Sequence, residues 1–319
     1  MQILVADRNL VPHRRRLEAA LPPDVRVVWG DDAALRTAEA FVGGRFTAEM
    51  AEVAEKLRLI HVAGAGTDRV NFAALGPDVL VANTFHHERS IAEYVLSAAI
   101  VLRRDFLAQD RALRRQVWAT SVYDDAIAQL PSLGGARVGF VGFGHIGQRS
   151  WELLRALGCT GAAVTGSGRV DPAHGLDWAA PTASLDRLMG ESDVVVVSAP
   201  LTARTAGMIG AAQLRALGPE GVLINVGRGP LVDERALYEA LLHRHIRAAA
   251  VDVWYRYPTP GGGGAPGDLP FHELANILMT PHSSGVTSDT FAGRVDDIAA
   301  NIGRLHRGEP LRNVVSGAG

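Results

Sequence analysis

Along the first third of the chain, short apolar runs alternate with stretches in which apolar residues recur at three- and four-residue spacing. "QILVAD" (2–7), "VRVVWG" (25–30), "EAFVGG" (39–44) and "LRLIHVAGAG" (57–66) read as strands. "LVPHRRRLEAAL" (10–21) and "TAEMAEVAEKL" (47–57) carry their apolar side chains at helical spacing. Strands alternating with helices predict a parallel, doubly wound sheet. A helical pattern then runs from about Ser90 to Arg115, longer than an ordinary crossover and suited to a spine between two domains. At Arg137 the alternation restarts. Strand-like runs follow at "ARVGFV", "CTGAAVTG", "DVVVVSAP", "GVLINVG", "IRAAAVDVW" and "NILMT", mostly with helical stretches between them. That is a second α/β unit, and no sequence repeat of fixed period relates it to the first.

Length agrees with this pattern: 319 residues exceed the usual single domain. The expectation is α/β, two Rossmann-like doubly wound parallel-sheet domains. Hydrophobic residues are 47% and charged residues 21% of the chain, enough apolar material for a sizeable core. A net charge of −2, with arginines scattered and often beside acids, argues against nucleic acid and anionic membranes as partners. The one cysteine, Cys159, cannot form an intramolecular disulfide, which fits a reducing compartment. "MQILVAD" begins directly as a strand, and no apolar run reaches membrane-spanning length, so a cytoplasmic location is expected. The low-complexity segment "PTPGGGGAPGD" (258–268) is expected to be mobile, given four consecutive glycines.

"VGFGHIG" places Gly142, Gly144 and Gly147 in the GxGxxG spacing, after an apolar strand and at the start of a helix. That context suits a dinucleotide: a tight turn, backbone approach to the pyrophosphate, and unpaired N–H groups at the helix start. A glycine turn without a ligand is the plainer alternative. An NAD-preferring site carries an acid about 20 residues onward, on the ribose 2′-hydroxyl. Here Thr165, Gly166 and Ser167 stand in its place, with Arg169 just beyond. A hydroxyl and a guanidinium suit a 2′-phosphate, which favours NADP, with NAD possible.

Six segments occur in order: "HVAGAGTDRVN", "VGFGHIG", "SAPLTARTAGMIG", "LINVGRGPLVDERAL", "AAVDVW" and "MTPHSSGVT". Together they resemble the D-isomer-specific 2-hydroxyacid dehydrogenases, which include glyoxylate/hydroxypyruvate reductases, phosphoglycerate dehydrogenases and formate dehydrogenases. The resemblance implies a discontinuous substrate domain (1–98 plus 285–319), a dinucleotide-binding domain (99–284), an interdomain active-site cleft, and a homodimer with residues around 100–130 as its arm. It implies that Arg228 binds and polarises the substrate, a task for a planar, permanently charged fork. His282 is the implied acid/base, with an imidazole that both gives and takes a proton near neutrality. Ala63, Gly64, Ala65 and Gly66 match the loop whose amides bind the substrate carboxylate. His87 and Arg89, with His86, are candidates for a second anionic group on the substrate; Arg8, Arg45 and Arg256 are weaker ones. The implied cofactor set is Gly142, Gly144, His145, Ile146, Gly147, Ser167, Arg169, Ala199, Pro200, Thr205, Val226 and Asp252. Leu201 and Thr202 lie on the same loop as Pro200. No metal is implied.

One position departs from the family. Its pattern after Asp252-Val253 is three variable residues and then Glu-Pro, the glutamate pairing with the histidine; this chain has Tyr257 before Pro258. Tyrosine orients an imidazole without lending it negative charge at neutral pH. Three explanations follow: Glu273 or Asp289 takes over; Tyr257 shapes the pocket for an unusual substrate such as a phosphonate or phosphorylated acid, with Arg256 reading its charge; or the reaction needs no proton relay, as in formate oxidation. The leading expectation is an NADP(H)-preferring 2-ketoacid reductase. The alternative is a non-catalytic, NAD(P)-sensing binding protein of the corepressor kind, with a purely structural role behind both.

Overall fold

The computed structural model describes residues 1–258 and 263–315. The centre of the glycine-rich segment, 259–262, lies outside the described residues. The chain forms two compact units: Met1–His87 together with the segment from Val286 onward, and Glu88–Gly285.

The first unit contains strands β1 (Gln2–Val5), β2 (Arg26–Trp29), β3 (Ala40–Val42), β4 (Leu59–His61) and β5 (Leu80–Ala82), with helices α1 (Arg14–Ala20) and α2 (Ala48–Val53). All five strands are parallel, in the order β2-β1-β3-β4-β5. Alternate strand residues supply the two faces: Ile3, Val5 and Val42 pack with one cluster, Leu4, Phe41 and Ile60 with the other. The C-terminal helix Ser288–Arg307 covers the first face with Phe291, Val295, Ile298, Ile302 and Leu305, a stripe of alternating three- and four-residue steps. Each such buried side chain contributes about 1.5–3 kcal/mol of transfer free energy. Thr287 caps the helix start through Thr290 N, and Gly308 ends it in a left-handed conformation.

A buried histidine ties this unit together. His61 Nδ1 lies 3.3 Å from Val62 O, and its Nε2 lies 3.0 Å from Asn301 Nδ2. Asn301 Oδ1 accepts from Arg312 N, which fixes the amide so that Nδ2 donates to the ring. His61 is therefore neutral, with its proton on Nδ1. Burial pushes its pKa down to about 4.

The second unit carries helices α3 (Glu88–Arg103), α4 (Phe106–Leu113), α5 (His145–Ala156), α6 (Leu185–Glu191), α7 (Ala211–Leu217) and α8 (Glu234–Leu242). Its strands are β6 (Arg137–Val141), β7 (Thr160–Thr165), β8 (Trp178–Pro181), β9 (Val194–Val197), β10 (Val222–Asn225), β11 (Ala248–Val251) and β12 (Ile277–Met279). The sheet is wholly parallel in the order β8-β7-β6-β9-β10-β11-β12, so its strand order reverses between β6 and β9. In β9, Val194 and Val196 face the cluster of α3 and α5, whereas Val195 and Val197 face that of α6, α7 and α8. Both faces are covered, which makes the unit doubly wound, as its continuous apolar strands require.

One sequence expectation is corrected. The helical pattern over 90–115 is two helices, because Asp105 adopts a left-handed conformation (φ 51°) that ends the first and starts the second. Within the second unit α3 packs against α5, β10 and β11, and the chain passes from the first compact unit to the second at His87/Glu88.

Candidate active site

The residues with chemistry in the second unit sit on loops that follow its strands. After β6, Gly142 has φ 87°, and a Cβ there would strike the Ala199 backbone. Gly147 is buried against the Gly142 carbonyl, 3.0 Å from where a Cβ would stand, so a side chain would crowd the close approach of α5 to the strand. At Gly144 a Cβ would meet nothing within 4 Å: the exposed side of the turn is open. Gly144 caps α5 with no side-chain hydrogen bond, and the helix start at His145 and Ile146 presents the positive end of the helix dipole to the turn. The first and third glycines thus serve packing and the second leaves room, the division a pyrophosphate requires.

The neighbouring loops converge on this turn. Gly142 N donates to Val164 O at the end of β7, and Ser198 Oγ to Gly142 O at 3.1 Å after β9. Ala199 and Pro200 follow, and Thr205 Oγ1 donates to Pro200 O at 2.8 Å, closing the 200–205 turn. At the end of β7, Thr165 Oγ1 and Ser167 Oγ are 3.4 Å apart, and Ser167 Oγ accepts from Arg169 N at 3.2 Å. The Arg169 side chain is exposed. These residues fit a dinucleotide, with Thr165, Gly166 and Ser167 standing at the end of β7 where the sequence pattern expects an acid.

Val226 continues β10 by donating to Val197 O. The buried Asn225 then shapes the "NVGRG" turn: its Oδ1 accepts from Gly227 N at 3.1 Å and its Nδ2 donates to Arg228 O at 3.0 Å. Gly229 lets this turn pass the Trp254 backbone, which a Cβ would strike. Arg228 emerges half-buried, with Nη1 donating to its neighbour's carbonyl, Gly227 O, at 2.9 Å. The two neighbouring acids, Asp233 and Glu234, have partners of their own. Asp233 caps α8 through Ala236 N, and Glu234 accepts from main-chain amides of 268 and 269.

His282 follows β12 with φ 58°, a conformation that its flanks hold in place. Asp252, fully buried after β11, accepts from Thr280 Oγ1 (2.6 Å), Ser283 N (2.9 Å), Ser284 N (3.0 Å) and Ser284 Oγ. Thr280 Oγ1 also lies 3.0 Å from Tyr94 Oη, whose pKa burial raises to about 12, so the phenol remains a donor. Both Asp252 oxygens thus organise the loop that bears the imidazole. Tyr257 Oη lies 2.9 Å from His282 Nδ1 and accepts from Trp254 N at 3.3 Å. The position that carries glutamate in the family therefore does touch the histidine, through a phenol.

Other candidates have different surroundings. Glu273 is exposed and lies 3.9 Å from His272, its neighbour in sequence. Asp289 is in the first turn of the C-terminal helix, in the first unit. Arg256 pairs with Asp268, and Arg89 with Glu93 one turn along α3. In the first unit, Asn83 and Thr84 hold the carbonyls of Ala65 and Gly64, and no hydrogen bond among the described residues takes up the Gly64, Ala65 and Gly66 N–H groups. His86 is bound within that unit, its Nε2 2.9 Å from an Asp297 oxygen that also accepts from Thr84 Oγ1 at 2.5 Å. His87 is half-buried, its ring stacked at 6.4 Å on Phe85. Among the described residues no group of three His, Cys, Asp or Glu side chains is placed to hold a metal ion.

Sequence reasoning missed Tyr94, Thr280, Ser283, Ser284 and Trp254. The polar run "TPHSSG" was the available signal for three of them; Tyr94 looked like one more position in a helix.

Comparison with known proteins agrees with this architecture. Residues 96–284 match the model of the D-isomer specific 2-hydroxyacid dehydrogenase NAD binding domain, more than half of the chain. A D-3-phosphoglycerate dehydrogenase of Mycobacterium tuberculosis is 32% identical over 329 aligned positions, which cover 99% of this chain and 59% of that protein. A glycerate dehydrogenase of Methylorubrum extorquens is 32% identical over 264, covering 81% of this chain and 79% of the relative. The NAD-complexed D-isomer specific 2-hydroxyacid dehydrogenase of Lactobacillus delbrueckii ssp. bulgaricus superposes with a TM-score of 0.81 at 21% identity, over 99% of this chain and 100% of that one. The chain belongs to the D-isomer specific 2-hydroxyacid dehydrogenase family. It spans about three-fifths of the length of the mycobacterial phosphoglycerate dehydrogenases it matches. Among the described residues no helix is long and apolar enough to cross a membrane.

Proposed function

We propose that this protein is a D-2-hydroxyacid dehydrogenase that works mainly as a reductase of a small 2-keto acid and prefers NADP(H). The observation that carries the reading is the pair of built loops at the carboxyl edge of one sheet, Arg228 after β10 and His282 after β12. Bound nicotinamide supplies the hydride. Arg228 holds the substrate carboxylate and polarises the carbonyl, with the amides of 63–66 as further donors to the carboxylate. His282, protonated, gives its proton to the carbonyl oxygen as that oxygen gains charge. Tyr257 orients the imidazole through Nδ1.

The NADP preference rests on Thr165, Gly166, Ser167 and Arg169 standing where an NAD site has its acid. Glyoxylate or hydroxypyruvate are the default substrates of such an enzyme. A doubly anionic substrate would draw on His87 or Arg89. We further propose a cytoplasmic homodimer joined through the segment after α4, where Val117, Trp118, Val122 and Tyr123 are all more than half exposed.

Tyr257 favours a second reading, a dinucleotide sensor without turnover. Oxidation of NADPH by a 2-keto acid, abolished by Arg228→Ala, supports the dehydrogenase. NADPH binding that changes partner affinity without turnover supports the sensor.

A further inference from the structure

We propose that Glu234 is a positioning residue for Tyr257, acting through the base of the loop that joins β11 to β12. The inference rests on the reading of Tyr257 as the partner of the acid/base histidine. The carboxylate lies in the first turn of α8, and its Oε1 accepts from both Asp268 N, at 2.6 Å, and Leu269 N, at 3.2 Å. Those amides belong to the returning limb of the loop. The outgoing limb hangs on the same structure: Tyr255 N and Arg256 N both donate to Pro266 O, at 3.1 and 2.9 Å, and Arg256 pairs with Asp268. The next residue is Tyr257, on His282 Nδ1.

Packing makes the arrangement specific. Gly267 passes directly over the Glu234 carboxylate, where any Cβ would strike Oε1. Tyr255 stacks on the buried Phe271 at 6.2 Å, which anchors the outgoing limb one residue before Arg256. Tyr257 is 40% exposed, so packing alone does not fix its ring and its backbone must be held by the limb before it. Glu234 and the Pro266 carbonyl hold that limb and the returning one. Because both amides converge on one oxygen, a neutral carbonyl suffices for the task, and the negative charge is dispensable.

The test is the ¹⁵N resonance of His282 Nδ1 in the whole protein, a readout that needs no turnover. Tyr257→Phe defines the shift that follows loss of the hydrogen bond. Glu234→Ala is expected to move the resonance most of the way to that value, and Glu234→Gln, which keeps the acceptor, to leave it near wild type. Gly267→Ala, which displaces the carboxylate from the loop side, is expected to act like Glu234→Ala. In the Tyr257→Phe background, Glu234→Ala should add nothing further. A His282 resonance unchanged in folded Glu234→Ala and Gly267→Ala proteins would overturn the proposal, as would a shift that adds to that of Tyr257→Phe. If instead no 2-keto acid is turned over but these shifts appear, the dehydrogenase reading fails and the positioning role stands.

Discussion

Tyr257 Oη lies 2.9 Å from His282 Nδ1, where the family pattern has a glutamate. A phenol keeps the ring's orientation and supplies no charge at neutral pH. A carboxylate at hydrogen-bonding distance favours the charged imidazole and raises its pKa. In the proposed reduction the protonated ring gives up its proton, so the rate is expected to fall as pH rises and the ring deprotonates. Tyr257→Glu is therefore expected to move that limb of the kcat/KM profile upward by about one unit or more. Tyr257→Phe should lower kcat with little change in the KM for cofactor. A profile unmoved by Tyr257→Glu would remove Tyr257 from the site.

The turn after β7 makes a separate prediction. If Arg169 meets a 2′-phosphate, its charge-assisted hydrogen bonds are worth about 1.5–3 kcal/mol. Arg169→Ala should then raise the KM for NADPH about 10- to 100-fold and leave that for NADH nearly unchanged. Gly166→Asp, which restores an acid near the ribose position, should reverse the preference. Equal loss with both cofactors would contradict the NADP reading.

Trp118 and Tyr123 form an edge-to-face pair at 5.7 Å while remaining 63% and 71% exposed, with Val122 beside them at 75%. Water-exposed aromatics on one loop suit burial in a second copy. Trp118→Glu is expected to weaken self-association by about 30-fold or more, the loss of an interface residue worth at least about 2 kcal/mol. Sedimentation velocity across a concentration series reads this directly, and a wild-type monomer at all concentrations would refute it.

His61 predicts an acid limb in stability. Its pKa is about 4 in the folded protein, against an ordinary value of 6.5, so the unfolded chain binds the proton more readily. Its contribution is complete above pH 6.5 and is lost as pH falls through about 4, about 3 kcal/mol at most. Urea titrations at pH 7 and pH 4.5 should show a wild-type loss that His61→Leu makes smaller. An equal loss in both proteins would place the acid sensitivity elsewhere.

Much of this was legible in the sequence because local pattern decides it. The GxGxxG turn follows from glycine spacing between a strand and a helix, and the parallel sheets follow from apolar runs of four or five residues. Strands as short as Leu80–Ala82, or as plain as Trp178–Pro181, carry too little alternation to be read. The break at Asp105 was hidden because apolar spacing continues on both sides of one left-handed residue. The roles of Asp252 and Glu234 were not legible. Asp252 acts on residues 28 to 32 positions away and Glu234 on residues 34 and 35 away, and only the folded sheet brings them together. Besides the cofactor role that the resemblance implies for Asp252, the folded chain gives its oxygens the histidine loop to hold.

The most direct measurement is oxidation of NADPH and NADH by the purified protein against small, bulky and phosphorylated or phosphonylated 2-keto acids, with Arg228→Ala alongside. Turnover of at least one of them is expected, faster with NADPH, with a loss of about 10²- to 10³-fold or more in Arg228→Ala. Silence across the whole panel, with tight NADPH binding intact, would contradict the dehydrogenase reading.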